Sequence, residues 1–259
     1  GLASAYALVR AGMDVTVVEA RDSLGSETSF ANGGQLSYRY VAPLADKGVP
    51  LQAIGWLLRG DSPLKLRPRL DPAQWRWMAS FLGACRASVN KRNAGHLLRL
   101  ASLSQGILQQ WREEDGLDGF DWKRNGKLVT FRSHHTFEHA RNKVLDRLQQ
   151  QVLSAADCTR LEPTLGATDF VGGIYTPNEE VADCHGFCQQ LAARLDASGR
   201  CRFVLGRKVT GIRHANGTVQ AIELGGEVMP VQHLVLAAGV RSPELALPGI
   251  ALPLYPLNG

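Results

Sequence analysis

GLASAYALVRAGMDVTVVEA, residues 1–20, reads as a helix, a tight turn and a strand that ends in an acid. Leu2, Ala5 and Val9 fall on one helical face, and Gly12 stands where a left-handed residue would stop the helix. Residues 13–18 are rich in β-branched side chains and predict a buried strand, closed by Glu19. In dinucleotide-binding folds an acid about 20 positions after the glycine loop hydrogen-bonds a ribose hydroxyl. The stretch therefore predicts the second half of a βαβ unit. Of the three glycines in the G-x-G-x-x-G fingerprint, only the last has a counterpart here, Gly1, so the chain reads as a fragment that starts inside the motif. An ordinary α/β helix and strand with a chance acid is the competing reading.

Composition sets the class. With 44% hydrophobic and 20% charged residues over 259 positions, the chain can bury a large core as one or two domains. No apolar run approaches the roughly 18 residues of a membrane span. The five cysteines (Cys85, Cys158, Cys184, Cys188 and Cys201) are odd in number, with neither C-x-x-C nor zinc spacing. They read as reduced thiols on the cytoplasmic side. A net charge of +5 suits an anionic cofactor, an acidic membrane surface or nucleic acid without choosing among them.

Beyond Glu19, residues 27–37 (ETSFANGGQLS) form a small, polar, Gly-rich loop. Thr28, Ser29 and Asn32 offer hydrogen-bonding side chains, while Gly33 and Gly34 let backbone amides approach a flat ring or a phosphate. A surface turn is the plainer account. Five prolines (Pro43, Pro50, Pro63, Pro68 and Pro72) then punctuate excursion loops, with one short helix expected near residues 51–58. Residues 73–113 carry two amphipathic helices. The first mixes Trp75, Trp77, Met78, Phe81 and Leu82 with Arg76 and Arg86, and its aromatic stripe is expected to face the core rather than a membrane.

FDWKRNGKLVTFRS predicts a hairpin turning at Asn125 and Gly126. Residues 134–153 read as a helix whose His134, His135 and His139 sit on a solvated face, no third ligand or acid completing a metal site. CTRLEPTL and GGIYTPNEEVADC read as extended segments. CHGFCQQLAARLDASG follows as a helix between an N-cap at Asp183 and a terminating Gly199. The remainder predicts two strands, an Asn-Gly turn, a third strand and a final buried strand, VQHLVLAAG. Its small residues Ala237, Ala238 and Gly239 suit a ligand lying across the strand end.

Taken in order, the Glu19 βαβ half, ETSFANGGQ, LEPTL, GGIYTPNEEVADC and VLAAGVRS resemble the FAD-dependent D-amino-acid dehydrogenases, within the D-amino-acid oxidase-like flavoproteins. The resemblance covers essentially the whole chain, including WLLRGDSPLKLRPRLD and the helix around WMASFLGAC. It implies an α/β fold: an FAD-binding Rossmann-like domain from residues 1–40 and 183–259, with an inserted α+β substrate domain at 41–182. It implies that Gly1 is the last fingerprint glycine and that Glu19 holds the adenosine ribose, flanked by Ala20 and Arg21. Thr28, Ser29, Asn32, Gly33, Gly34 and Gln35 would lie along the pyrophosphate and flavin. Val209 would meet the adenine through its backbone, and Ala237, Ala238 and Gly239 would form the second cofactor crossing. YPLNG resembles the family's Tyr-Pro-hydrophobic-Lys-Gly turn, with Asn258 in place of the lysine.

The activity so implied is oxidative deamination of a D-amino acid to a 2-oxo acid and ammonia, with electrons passing to a quinone or another acceptor. Nucleic acid is not an expected partner. Attachment to the inner face of a bacterial membrane is implied, with the helix from Trp75 to Arg86 and the basic residues 65–69 as the contact. Alternatives are a flavoenzyme acting on another amine of the glycine, sarcosine or hydroxyproline type, an NAD-dependent dehydrogenase, and a non-catalytic fragment. The flavoenzyme reading requires residues 1–40 and 183–259 to lie side by side.

Overall fold

Helix α1 (Leu2–Arg10) buries Ala5 and Tyr6, and Gly12 follows it with φ of 84°, as its place in the sequence predicts. The Met13 amide bonds back to the Leu8 carbonyl at 3.1 Å, and the chain enters strand β1 (Val15–Val18). The computed structural model describes residues 1–39, 42–50, 70–142, 144, 149–245, 249–250 and 252–255. The short helix expected near residues 51–58, the basic residues 65–69 and Asn258 lie outside them. The chain forms two compact units, one of Gly1–Ala31, Ala42–Leu97 and Cys188–Gly259, the other of Asn32–Val41 and Leu98–Phe187. By contacts, residues 42–97 therefore go with the first unit, and residues 32–41 with the second.

In the first unit, β1 runs parallel to β7 (Cys201–Val204), in register from Val15 with Cys201 to Val18 with Val204. This pairing sets residues 15–18 beside residues 201–204. Among the described residues β7 is the one neighbour of β1, and Thr16 is exposed, so β1 is half-buried rather than fully covered. An antiparallel meander follows: β8 (Gly211–Ala215), β9 (Thr218–Leu224) and β10 (Glu227–Pro230). Asn216 and Gly217 join the first two strands with φ of 51° and 74°, the double positive φ that a type I′ turn requires. Ile222 and Leu224 are buried on one face of β9, and Ala221 is buried on the other.

The expected final strand is not one. The Val231 amide still bonds to the Gln220 carbonyl at 2.9 Å, but residues 231–238 pair with no described strand, and Val235 is 56% exposed. Apolar, β-branched composition predicts a strand only where a neighbour satisfies its backbone groups. A 3-10 turn, Gly239–Leu245, follows.

Helix α2 (Pro72–Ala84) starts from Asp71, whose carboxylate accepts the Ala73 amide at 2.8 Å, with Pro72 in the first turn. Its buried side chain is Gln74. Trp77 and Phe81 stack on each other with centroids 5.3 Å apart, and Tyr255 stands 5.9 Å from Trp77. Trp75 and Leu82 are exposed, so the aromatic stripe does not fill a core as expected. Helix α3 (Ala87–Asp115) runs on into the second unit, where it buries Trp111.

The second unit is built on β5 (Gly172–Thr176), which lies between β3 (Lys127–Phe131) and β4 (Gln151–Ser154), antiparallel to both. The hairpin expected at Asn125 and Gly126 is therefore replaced by a non-local pairing, Val129 with Ile174, while Lys123 bridges Val181. The helix expected over 134–153 stops early. It is α4 (His134–Asn142), and residues 151–154 serve as the outer strand β4. CTRLEPTL is helical rather than extended. Ser154 and Asp157 form a reciprocal capping box on α5 (Ala155–Leu161), and a 3-10 turn, Pro163–Ala167, follows. Leu117, Phe120, Cys158 and Ile174 are among the buried apolar residues of the second unit. A two-stranded ladder, β2 (Gln35–Leu36) with β6 (Glu180–Val181), leads to α6 (Cys184–Ala197). Asp183 caps α6 by accepting the His185 amide at 2.9 Å, and Gly199 ends it with φ of 65°, both as expected.

Candidate cofactor site

The C-terminal end of β1 is stitched to the chain leaving β7. The Glu19 amide donates to the Val204 carbonyl at 2.9 Å, the Arg207 amide to the Glu19 carbonyl at 3.0 Å, and the Gly206 amide to the Arg21 carbonyl at 2.9 Å. With its peptide groups occupied, Glu19 turns its carboxylate over its own loop, where Oε1 accepts the Arg21 amide at 2.9 Å. Ala20 and Arg21 are exposed, and Arg21 pairs with Glu27 across two solvated side chains, an ion pair of little energetic weight. Val209 is half-buried two positions beyond Arg207, and the next amide, Thr210, is held by the Glu223 carbonyl at 2.8 Å.

Gly1 caps α1 without a side chain, and the first backbone bond of the helix runs from Ala5 to Gly1 at 2.9 Å. A Cβ on Gly1 would stand 3.8 Å from that of Ala237, so the start of α1 meets the exposed run Ala237, Ala238 and Gly239. An uncapped helix start carries unpaired N–H groups and a partial positive charge, which suits an anion. Thr28 and Ser29 stand in a surface turn closed by the Phe30 amide on the Glu27 carbonyl at 3.0 Å. A cleft of about 260 Å³ between residues 14–16 and 199–202 lies at the other, N-terminal end of β1 and β7. Open parallel sheets bind ligands at the carboxyl ends of strands, so that cleft is not the site.

Within the second unit, Asn32 folds its Oδ1 onto the Gly34 amide at 2.8 Å. Gly34 has φ of 61°, and a Cβ there would fall 2.6 Å from the Ala182 carbonyl oxygen. No other residue fits that approach without a shift. Gly33 and Gln35 are exposed, and Gln35 Oε1 accepts from Lys127 Nζ at 3.1 Å.

Behind this turn lies a network that sequence reasoning missed. Glu179 and Glu180 are 1% and 3% exposed. Glu179 accepts the backbone amides of Tyr38, at 2.9 and 3.0 Å, and Arg39, at 2.6 Å. Glu180 accepts from the Tyr38 hydroxyl at 2.9 Å, Trp122 Nε1 at 2.9 Å and Arg124 Nε and Nη2 at 3.1 Å. Arg112 stacks on the Trp122 ring at 3.4 Å. Burial, and then the Glu180 charge, push the Tyr38 phenol well above its usual range, so it remains a donor. Two adjacent acids after Asn178 look like a solvated turn, and their partners lie more than fifty positions away. Among the described residues no three His, Cys, Asp or Glu side chains come together to hold a metal ion.

A family model described as FAD dependent oxidoreductase (DAO) matches residues 1–259. The chain belongs to this family. D-amino acid dehydrogenase 2 of Pseudomonas aeruginosa is 67% identical over 259 residues, covering 100% of this chain and 62% of that protein. D-amino acid dehydrogenase of Methylobacterium nodulans is 40% identical over 267 residues, covering 100% of this chain and 63% of that protein. The chain thus spans less than two thirds of these curated relatives. Among solved structures, glycine oxidase from Geobacillus kaustophilus superposes with a TM-score of 0.61 at 16% identity, over 95% of this chain and 54% of that one. Iminodiacetate oxidase from Chelativorans sp. BNC1 gives 0.60 at 16%, over 94% and 54%.

The expected α/β fold is that of the FAD dependent oxidoreductases, and FAD is their cofactor. The groups at the end of β1 fit its adenosine half. An acid closes a parallel strand, a glycine starts the adjoining helix without a side-chain cap, and the small Ala237 side chain faces that start, 3.8 Å from where a Cβ on Gly1 would stand.

Proposed function

We propose that this chain is part of an FAD-dependent D-amino-acid dehydrogenase, which converts a D-amino acid to the 2-oxo acid and ammonia. The 67% identity to D-amino acid dehydrogenase 2 across every residue of the chain carries this reading. Residues 1–40 and 183–259 serve the cofactor, and residues 41–182 the substrate. Glu19 holds the adenosine ribose between Ala20 and Arg21, Val209 offers backbone groups to the adenine, and Gly1 with Ala237, Ala238 and Gly239 admits the phosphates. By the family likeness, Thr28, Ser29, Asn32, Gly33, Gly34 and Gln35 are assigned to the pyrophosphate and flavin.

When bound, FAD supplies the hydride acceptor. The chain's own part is positioning: the Asn32 side chain shapes the Gly34 turn, and the buried Glu179 and Glu180 anchor the segment that follows it. Electrons pass on to a quinone or another acceptor. Among the described residues no helix is long and apolar enough to cross a membrane. Exposed Trp75 and Leu82, one face of α2, support contact with a bilayer surface instead.

The intact protein, purified, tests the reading. It should be yellow, and its visible flavin absorbance should bleach when a D-amino acid is added without oxygen. A colourless protein overturns it. So does a yellow protein bleached by another amine and not by D-amino acids.

A further inference from the structure

The feature that the proposed function leaves unused is a lysine on the rim of the second unit. Lys127 opens β3, and its ammonium reaches across to the β2 segment, donating to Gln35 Oε1 at 3.1 Å and Ser37 Oγ at 3.4 Å. Both acceptors lie in the stretch between the Gly33–Gly34 turn and Tyr38. That stretch is held from behind, where Glu179 takes the Tyr38 and Arg39 amides.

An ammonium has three donors and no acceptor, whereas a glutamine amide has one acceptor end and one donor end. The end of Gln35 that faces Lys127 must therefore be the oxygen, since a flipped amide would set N–H groups against N–H groups. Its NH2 is left pointing away from β3, and Gln35 is exposed, so that end is open to a ligand. A charge-assisted bond is stronger than a neutral one and holds the amide better than water would.

Resting on the assignment of Gln35 to the cofactor, we propose that Lys127 is a positioning residue that fixes the Gln35 amide so that its NH2 is presented to an acceptor group of FAD. Lys127 does not touch the cofactor. It acts through Gln35, and removing either side chain removes the same bond.

A double-mutant cycle on the intact holoprotein tests this. FAD affinity is read from the return of flavin fluorescence on dilution, and the flavin midpoint potential by equilibration with a reference dye. Lys127→Met and Gln35→Ala should each weaken FAD binding about fivefold, the worth of one hydrogen bond to a buried or bound acceptor. The double variant should be no weaker than either, and the two single variants should shift the potential in the same direction. Additive losses would overturn the proposal, because Lys127 would then act independently of Gln35. A yellow protein in which Gln35→Ala changes neither affinity nor potential also overturns it, while leaving the flavoenzyme reading in place. Only a parent protein without flavin would sink both.

Discussion

The Tyr38 hydroxyl donates to the Glu180 carboxylate at 2.9 Å, between residues 142 positions apart in the sequence. The bond ties the segment after the Gly33–Gly34 turn to the strand that precedes α6. Glu180 also satisfies Trp122 and Arg124, so one buried carboxylate serves three side chains.

Glu180→Ala would strand those partners. Loss of one member of a fully buried pair costs about 3–5 kcal/mol, but the Arg124 side chain is 44% exposed and recovers water, so about 2–3 kcal/mol is expected here. Tyr38→Phe removes a single bond and should cost about 1 kcal/mol. Urea midpoints of the two variants measure the difference. Equal losses would mean that Glu180 works through Tyr38 alone.

Gly34→Ala should be costly although it adds one methyl group. The residue has φ of 61°, and the new Cβ would overlap the Ala182 oxygen at 2.6 Å. Relief requires parting Gly34 from Ala182, whose amide bonds back to the Gly34 carbonyl at 2.8 Å beside the β2–β6 ladder. A loss of about 1–3 kcal/mol is expected. Thermal unfolding checks it, and an unchanged midpoint would show that the turn adjusts freely.

Glu19→Ala should separate cofactor retention from stability. The backbone groups of Glu19 stitch β1 to the β7 exit and survive the substitution, while its carboxylate holds one local amide, that of Arg21. Unfolding should shift by under about 1 kcal/mol, whereas FAD should bind about tenfold more weakly, as for the loss of a charged hydrogen bond. Unchanged FAD affinity would show that the ribose lies elsewhere.

What was legible in the sequence was local. α1, its Gly12 stop and the entry into β1 rest on neighbours within a few positions, as do the Asp183 cap of α6 and the Asn216–Gly217 turn. These signals are physical constraints on the very residues that display them. The strand partners are not. Asn125 and Gly126 have hairpin chemistry, yet Val129 pairs with Ile174, because β5 offers a partner on both its edges. The run from Val231 looks like a strand by composition and lacks a paired neighbour among the described residues. In the candidate site, Glu19 and Gly34 announce themselves through spacing and glycine chemistry. Glu179 and Glu180 acquire their meaning only from Tyr38, Trp122 and Arg124, which folding brings to them.

Lys127 carries a pH signature whose sign is fixed. Burial holds its pKa below the usual lysine range, against the pull of the Glu179 charge. Between that lowered value and the unfolded one near about 10.4, the unfolded chain binds more protons than the folded chain. Stability contributed by this group therefore rises with pH across that window, and the cost of the buried charge is fully present below it. Lys127→Met removes the ionisation. Its stability relative to the parent should be greatest at neutral pH and should fall as pH rises through the window, because the parent gains and the variant does not. At pH 7 the variant should hold FAD less well than the parent. Urea midpoints of both proteins from pH 7 to 10.5 provide the measurement. A difference between the two proteins that stays constant with pH would mean that the fold does not perturb the Lys127 ammonium.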